Sequence, residues 1–467
     1  PGKNSIAVRV INDEEAAGLM VNLKVKDGGK NVVIGSGSNW QARRNLQPKW
    51  SALDAHGGGW TKAHSFGAAG KVKPWGALKP AKKVTSGLFE FQQFRERSSD
   101  PFELHDGDRV VLLGGTFIER AQRYGWLETA LQARFPDRKF TVRNLAWSAD
   151  TVRADSRGIF STPEVGYAQM IEQVRELSPT VIILNYGANE AFEGPTGLEK
   201  FVAGYEQLLN DLAPTGASHV LLSPHMLLKM APPLPDPAAQ NKRLVAYTQA
   251  IEKLAKDRHL YFANLLVTGM RRPLFNRHSD AGLHFNEAGY QQMSQAVVDA
   301  VFGLGSREAM ATIDASAQKA TEARGCSISK IKMSPKSIEF QVTFEPGYVG
   351  DLTLRGQGFL KGNFEVRIDG SPAGRISTEN TSPTGVTIPT GSRLNKLRAA
   401  IVRKNELYFH SWRPQNITYL FLFRKHEQGN NAKEVEEFRP LVEKLEAEIA
   451  AMKKSSQSVK VELVRVK

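Results

Sequence analysis

Between about residue 105 and residue 305, short apolar runs alternate with amphipathic segments. This alternation implies an α/β fold, a mainly parallel sheet between layers of helix. A second observation agrees with it: small residues, an Asn and a His follow those runs, where strands of open α/β sheets end and build their sites. The flanking regions lose the alternation and read as short strands before it, and as short strands followed by helix after it.

The elements follow in order. Residues 1–85 are β-rich: Ser5–Val10 and Met20–Val25 alternate in strand fashion, and Lys26–Lys30 is a turn. Trp40, Trp50, Trp60 and Trp75 stand among Gly-rich loops, as core aromatics or as a sugar platform. Residues 86–305 hold the α/β series. Its strands are Arg109–Leu113, Lys139–Leu145, Thr180–Asn185, His219–Ser223 and Leu260–Asn264. Its helices are Tyr124–Phe135, Tyr167–Leu177, Leu198–Leu212, Pro237–Arg258 and Asn286–Phe302. Residues 306–390 form a small β insertion with strands Ser337–Phe344, Asp351–Leu354 and Phe364–Ile368, and Asp369-Gly370 as a hairpin turn. In residues 391–467 a helix over Leu394–Asn405 precedes a polar-aromatic run, Glu406–Asn416. Arg424–Asn431 continues it, and a mixed-charge helix spans Ala432–Met452.

Composition narrows the function. At 467 residues the chain exceeds one ordinary domain, with about three expected at about 150 residues each. The sequence opens at Pro1 without Met or a signal peptide, which reads as a mature form or a fragment. No run of 18 apolar residues suggests a membrane span. Cys326 is the single cysteine, so an internal disulfide framework and Cys-based metal sites are excluded. The formal charge is +14, but basic and acidic residues are mixed and no nucleic-acid motif is present. A solvated basic surface or an affinity for anionic glycans fits better. No cofactor and no metal is expected. A metal site from His410, His426 and Glu427 is the disfavoured alternative, since their spacing matches no metal-ligand motif.

Four blocks carry the chemistry: Val110–Thr116, Asn144–Thr151, Asn185–Glu190 and Ser279–Tyr290. Their order and spacing resemble the SGNH (GDSL-type) hydrolases. The resemblance implies a three-layer, flavodoxin-like α/β domain in which a hydroxyl nucleophile is activated by a His oriented by a carboxylate. Carried over by position, Thr116 becomes the nucleophile, His284 the base and Asp280 the orienting acid. Ala149, Gly187 and Asn189 become the groups of the oxyanion site. Three departures stand out. Thr116 occupies the Ser position, and its extra methyl restricts χ1. Gly115 replaces the family's Asp. Asp280 precedes His284 by four residues rather than three, with Ala281 at the usual place. The charges of Phe117-Ile118-Glu119-Arg120 form a structural ion pair or face the pocket, and the structural reading is favoured.

Through the segments Phe117–Arg120, Gly187–Glu190, Glu406–Asn416 and Lys425–Asn431, residues 105–450 also resemble a branch of the superfamily abundant in planctomycete-like bacteria. That likeness implies an exported, periplasmic or secreted, lipase-like hydrolase. The segment Pro1–Asp13 resembles the end of a galactose-binding-like jelly roll, a partial module that invites a partner chain. In the C-terminal run, His410, Trp412, Arg413, His426 and Asn430 are expected to fold over the pocket and bind substrate, because so many polar groups beside aromatics are costly to bury unpartnered. The competing reading is a polar clamp. The expected activity is ester hydrolysis, on an acyl group of a carbohydrate. A non-catalytic glycan-binding or assembly subunit on the same scaffold is the alternative.

Overall fold

The computed structural model describes strand backbone at residues 22–27, 30–35, 41–42 and 61–62. It also describes residues 101–466, apart from 159–160, 267–275, 304–307, 358–361, 379–384 and 415. The chain divides into two compact units, Pro1–Glu90 and Phe91–Lys467. In the first, β1 (Asn22–Asp27) pairs antiparallel with β2 (Lys30–Gly35), Asp27 opposite Lys30, and β3 (Gln41–Ala42) pairs with β4 (Thr61–Lys62). The expected strand Ser5–Val10 and the four tryptophans lie outside the described residues.

The second unit opens with the α/β domain. Strands β5 (Asp108–Gly114), β6 (Phe140–Asn144), β7 (Val181–Asn185), β8 (Ser218–Leu222) and β9 (Tyr261–Ala263) form one parallel sheet in the order β6-β5-β7-β8-β9. Both faces are covered, so the strands are near-continuous apolar runs. Val110, Leu112, Val181 and Ile183 pack with α1 (Thr116–Tyr124), α2 (Trp126–Arg134) and α6 (Glu287–Phe302). Val111, Leu113, Ile182 and Leu184 pack on the opposite side with α3 (Pro163–Glu176), α4 (Leu198–Leu212) and α5 (Ala238–Asp257). Strand order reverses between β5 and β7, the switch point at which such sheets open a crevice. The helix read over Tyr124–Phe135 is α2, and Gly125, at φ +71°, separates it from α1, which was not assigned from sequence.

A β unit follows, built of two sheets around one core of Ile338, Phe340, Val342, Leu352, Phe364 and Val461. One sheet orders β11 (Lys319–Arg324), β10 (Ala309–Asp314), β14 (Leu352–Gln357) and β17 (Val386–Ile388). The other orders β12 (Cys326–Met333), β13 (Ser337–Phe344), β18 (Ser458–Val466), β15 (Asn363–Ile368) and β16 (Ser371–Ser377). Asp369 (φ +48°) and Gly370 (φ +79°) make the expected tight turn between β15 and β16, with both central residues left-handed. The final strand β18 sits between β13 and β15. The β unit is therefore completed by the end of the chain, which does not belong with the helical extension.

That extension consists of α7 (Asn395–Trp412) and α8 (Phe438–Ser455). Leu397, Ile401 and Ile449 join the core beneath α1, α2 and α6. Among the described residues no helix is long and apolar enough to cross a membrane.

Candidate active site

The site starts at the corner between β5 and α1. The Gly115 N–H donates to Asn185 O at 3.3 Å, closing the corner onto β7. Gly114 has φ +154°, and a Cβ there would lie 2.5 Å from that same carbonyl oxygen. Gly115 is crowded as well: a Cβ would stand 3.2 Å from Asp150 O and 3.3 Å from Asn189 Nδ2. An Asp here, as in the family, would require Asp150 O and the Asn189 amide to give way by a few tenths of an ångström. Thr116, half-buried, is the first residue of α1, so its N–H lies outside the helix's own ladder and at the positive end of its dipole.

The Thr116 hydroxyl accepts a hydrogen bond from the Ala149 N–H at 2.8 Å. Its own proton is thereby left for another acceptor. Ala149 aims this N–H by adopting φ +59°, a left-handed conformation that costs an L-residue roughly 1 kcal/mol. Its methyl group is exposed. Ala149→Gly should therefore stabilise the protein by about 0.5–1 kcal/mol in chemical denaturation, and a loss of stability would show that the turn is not strained.

The Asn189 side-chain amide donates to Asp150 O at 2.8 Å, which leaves its second N–H for a ligand. Gly187 does not serve as an oxyanion donor, contrary to expectation. Its N–H is spent on Glu190 Oε2 at 2.9 Å, while Glu190 Oε1 accepts from the Val152 N–H at 3.0 Å. This buried carboxylate ties the second block to the third. Burial pushes its pKa up to about 7 against the pull of those two N–H donors. Asp150, at the next corner, is held by Arg157 Nε at 2.7 Å in a buried ion pair, and Arg157 also donates to Leu145 O. Neither Glu190 nor Arg157 was assigned a role from sequence. Glu190 sits inside a motif, but nothing local to Arg157 marks it.

His284 enters from the turn before α6. Its backbone carbonyl receives the Ser279 hydroxyl at 2.6 Å and the Asp280 N–H at 3.1 Å. Asn286 caps α6 by accepting from the Gly289 N–H. An aromatic cluster then joins this block to the first. Phe117, next to Thr116, meets Phe285, next to His284, with ring centroids 6.0 Å apart, and Tyr290 donates to Phe117 O at 2.9 Å. The His284 pKa is lowered, first by burial and then by the Arg120 guanidinium, against Asp280. The Asp280 carboxylate, however, pairs with Arg120 Nη2 at 3.4 Å, and among the described residues no hydrogen bond reaches the His284 ring. His225, unassigned from sequence, packs on Phe117 and Phe285. Burial pushes its pKa down to about 4, so it is neutral at ordinary pH.

Glu119 and Arg120 do not pair with each other. Glu119 reaches Ser148 and accepts from Arg413 Nη1 at 2.7 Å. Arg413 also lies 3.4 Å over the Trp147 ring, and Trp412 meets Trp147 edge-on. The C-terminal run thus touches the second block through Trp412 and Arg413. His410, His426 and Asn430 are exposed and are not brought to it. Glu406–Trp412 is the last two turns of α7, with Tyr408 and Trp412 packed on the core one turn apart. Desolvation therefore asks for no cleft there, and Arg413 is a clamp with its charge already matched. Among the described residues no group of three acidic, His or Cys side chains is placed to hold a metal. A cavity of about 250 Å³ lined by Glu128, Gln132, Phe140 and Lys453 lies at the opposite, amino-terminal ends of the strands.

A parallel five-stranded sheet with a hydroxyl, a backbone N–H and an Asn amide at the switch point defines an α/β domain of the hydrolase type. Residues 96–292 match the model of the GDSL-like Lipase/Acylhydrolase family. A gut microbial diltiazem-metabolizing enzyme is similar in fold: 15% identity, 79% of this chain and 99% of that one covered, TM-score 0.53. An acetylxylan esterase from Geobacillus stearothermophilus matches at 15% identity over 43% of this chain and 96% of its own, TM-score 0.35. No curated protein matches the chain.

Proposed function

We propose that the protein hydrolyses esters through an acyl-enzyme on Thr116, with an acylated carbohydrate outside the cytoplasm as the favoured substrate. The observation that carries this reading is the 2.8 Å hydrogen bond from the Ala149 N–H to Thr116 Oγ1. It sets a fixed donor beside the attacking oxygen, where charge develops on the carbonyl. In the first step Oγ1 attacks the ester carbonyl and its proton passes to His284. The oxyanion is met by the N–H groups of Thr116 and Ala149 and the free amide N–H of Asn189. Collapse expels the alcohol, which takes the proton from His284, and water repeats the sequence to release the acid.

Turnover of 4-nitrophenyl acetate tests this. Thr116→Ser should equal or exceed the wild type, and Thr116→Val should lose about 10²-fold or more. Wild-type turnover that survives Thr116→Val would overturn the acyl-enzyme. Because His284 acts as the neutral base, kcat/KM should rise with pH and level off. Burial and Arg120 both disfavour the imidazolium, so the midpoint should fall below the ordinary value of 6.5. A midpoint above that value would contradict the assignment.

A second reading, recognition without turnover, is favoured by one specific observation. Asp280 is engaged by Arg120 and does not orient the His284 ring. Inactivity of the wild type on short acyl esters, with retained binding of glycans, would favour it.

A further inference from the structure

Two arginines flank the constellation, and they are in opposite states. Arg413 is matched by the Glu119 carboxylate at 2.7 Å and stacked on Trp147. Arg120 has, among the described residues, one ion pair, a 3.4 Å contact to Asp280, whose side chain is 57% exposed, and it also hydrogen-bonds the Tyr290 side chain. Its buried Nε has no hydrogen-bond partner. Arg120 stands four residues after Thr116 on α1, one turn and about 6 Å along the helix, on the same face. Asp280 belongs to the turn that carries His284, so the guanidinium links the helix of the nucleophile to the turn of the base.

We propose that Arg120 is a specificity determinant that receives a carboxylate of the substrate, close to the ester that Thr116 attacks. A guanidinium presents donors in a fork that a carboxylate fills in bidentate fashion, and the Arg120 side chain, 26% exposed, keeps part of itself open to such a ligand although its Nε is buried. The contact to Asp280 is a weak competitor, because an exposed ion pair contributes little. The overall charge of +14 draws anionic polymers toward the surface before this local recognition operates. The ligand class is thus an acylated sugar acid, or another carboxylate-bearing ester. This rests on the hydrolase reading, with Arg120 supplying the substrate charge preference.

The test compares 4-acetoxybenzoate with its neutral methyl ester on each protein, so that any loss of folded material cancels in the ratio. In the wild type kcat/KM should favour the acid by about tenfold or more, through KM, the scale of a charge-assisted hydrogen bond. Arg120→Gln should bring the ratio to about one, and Arg120→Lys should keep part of it. A wild-type ratio near one, or a ratio that survives Arg120→Gln, overturns the proposal and leaves the hydrolase reading standing. If neither ester turns over, saturation-transfer NMR with 4-acetamidobenzoate and its methyl ester separates the two ideas. Charge-selective binding lost in Arg120→Gln supports Arg120 while the hydrolase reading fails. Binding without charge preference sinks the Arg120 assignment whatever the turnover.

Discussion

His284→Ala should lower kcat/KM on acyl esters by about 10²–10⁴-fold, the contribution of a positioned general base, while leaving the protein folded. The fold should survive because the ring is half-buried and has no hydrogen-bond partner among the described residues. What holds this turn is the His284 backbone carbonyl, bound by Ser279 and the Asp280 N–H, and that group remains after substitution. His225→Ala is the informative contrast. That ring packs between Phe117 and Phe285 and stays neutral, so its loss should cost stability through an aromatic cavity. Equal turnover in wild type and His284→Ala would place the chemistry elsewhere. Equal damage from both histidines, with matching loss of folded protein, would make His284 structural. Asp280→Asn should matter far less than His284→Ala, since its carboxylate faces Arg120.

The division between what was legible in the sequence and what was not follows contact range. The sheet was legible because strands buried on both faces must be written as apolar runs, as in Val110–Leu113 and Val181–Leu184. The corner at Gly114–Thr116 was legible because its backbone approach to Asn185 admits only small residues. The neighbourhood of the C-terminal run was not. Glu119 meets Arg413 across 294 positions, and no local pattern announces such a partner. Glu406–Trp412 looked like a collection of ligands because its polar groups were counted without helical phase. Placed on α7, Tyr408 and Trp412 face the core one turn apart and His410 points to solvent. The Gly187 N–H was open to correction from sequence, since Glu190 is only three residues on and can fold back onto it. The position of β18 between β13 and β15 depends on pairing across roughly a hundred residues, beyond any turn signal.

Lys404→Ala should cost about 3–5 kcal/mol, the largest stability loss expected from one substitution in the helical extension. Lys404 projects from α7 into a fully buried position, where Nζ donates to Glu128 Oε1 at 2.8 Å, Glu128 Oε2 at 2.7 Å and Val142 O at 3.0 Å. One ammonium therefore joins α7 to α2 and β6. Burial lowers the Lys404 pKa and raises that of Glu128, each opposed by the other's charge. Removal of the ammonium leaves Glu128 buried without its counter-charge, and the carboxyl must then hold a proton. Its folded-state pKa, already raised, rises further above the unfolded value, so the stability that remains is present at low pH and lost as pH rises through the folded pKa. The penalty of Lys404→Ala in chemical denaturation should accordingly be larger at pH 8 than at pH 5. Lys404→Met combined with Glu128→Leu should recover most of it, since a buried ion pair is often no better than apolar side chains of similar volume. A penalty below about 1 kcal/mol, or one independent of pH, would mean that α7 is held by Leu397 and Ile401 alone. If the penalty is as large as expected, it should carry over to the site. Release of α7 withdraws Arg413 from Glu119 and Trp147 and loosens the loop that aims the Ala149 N–H at Thr116.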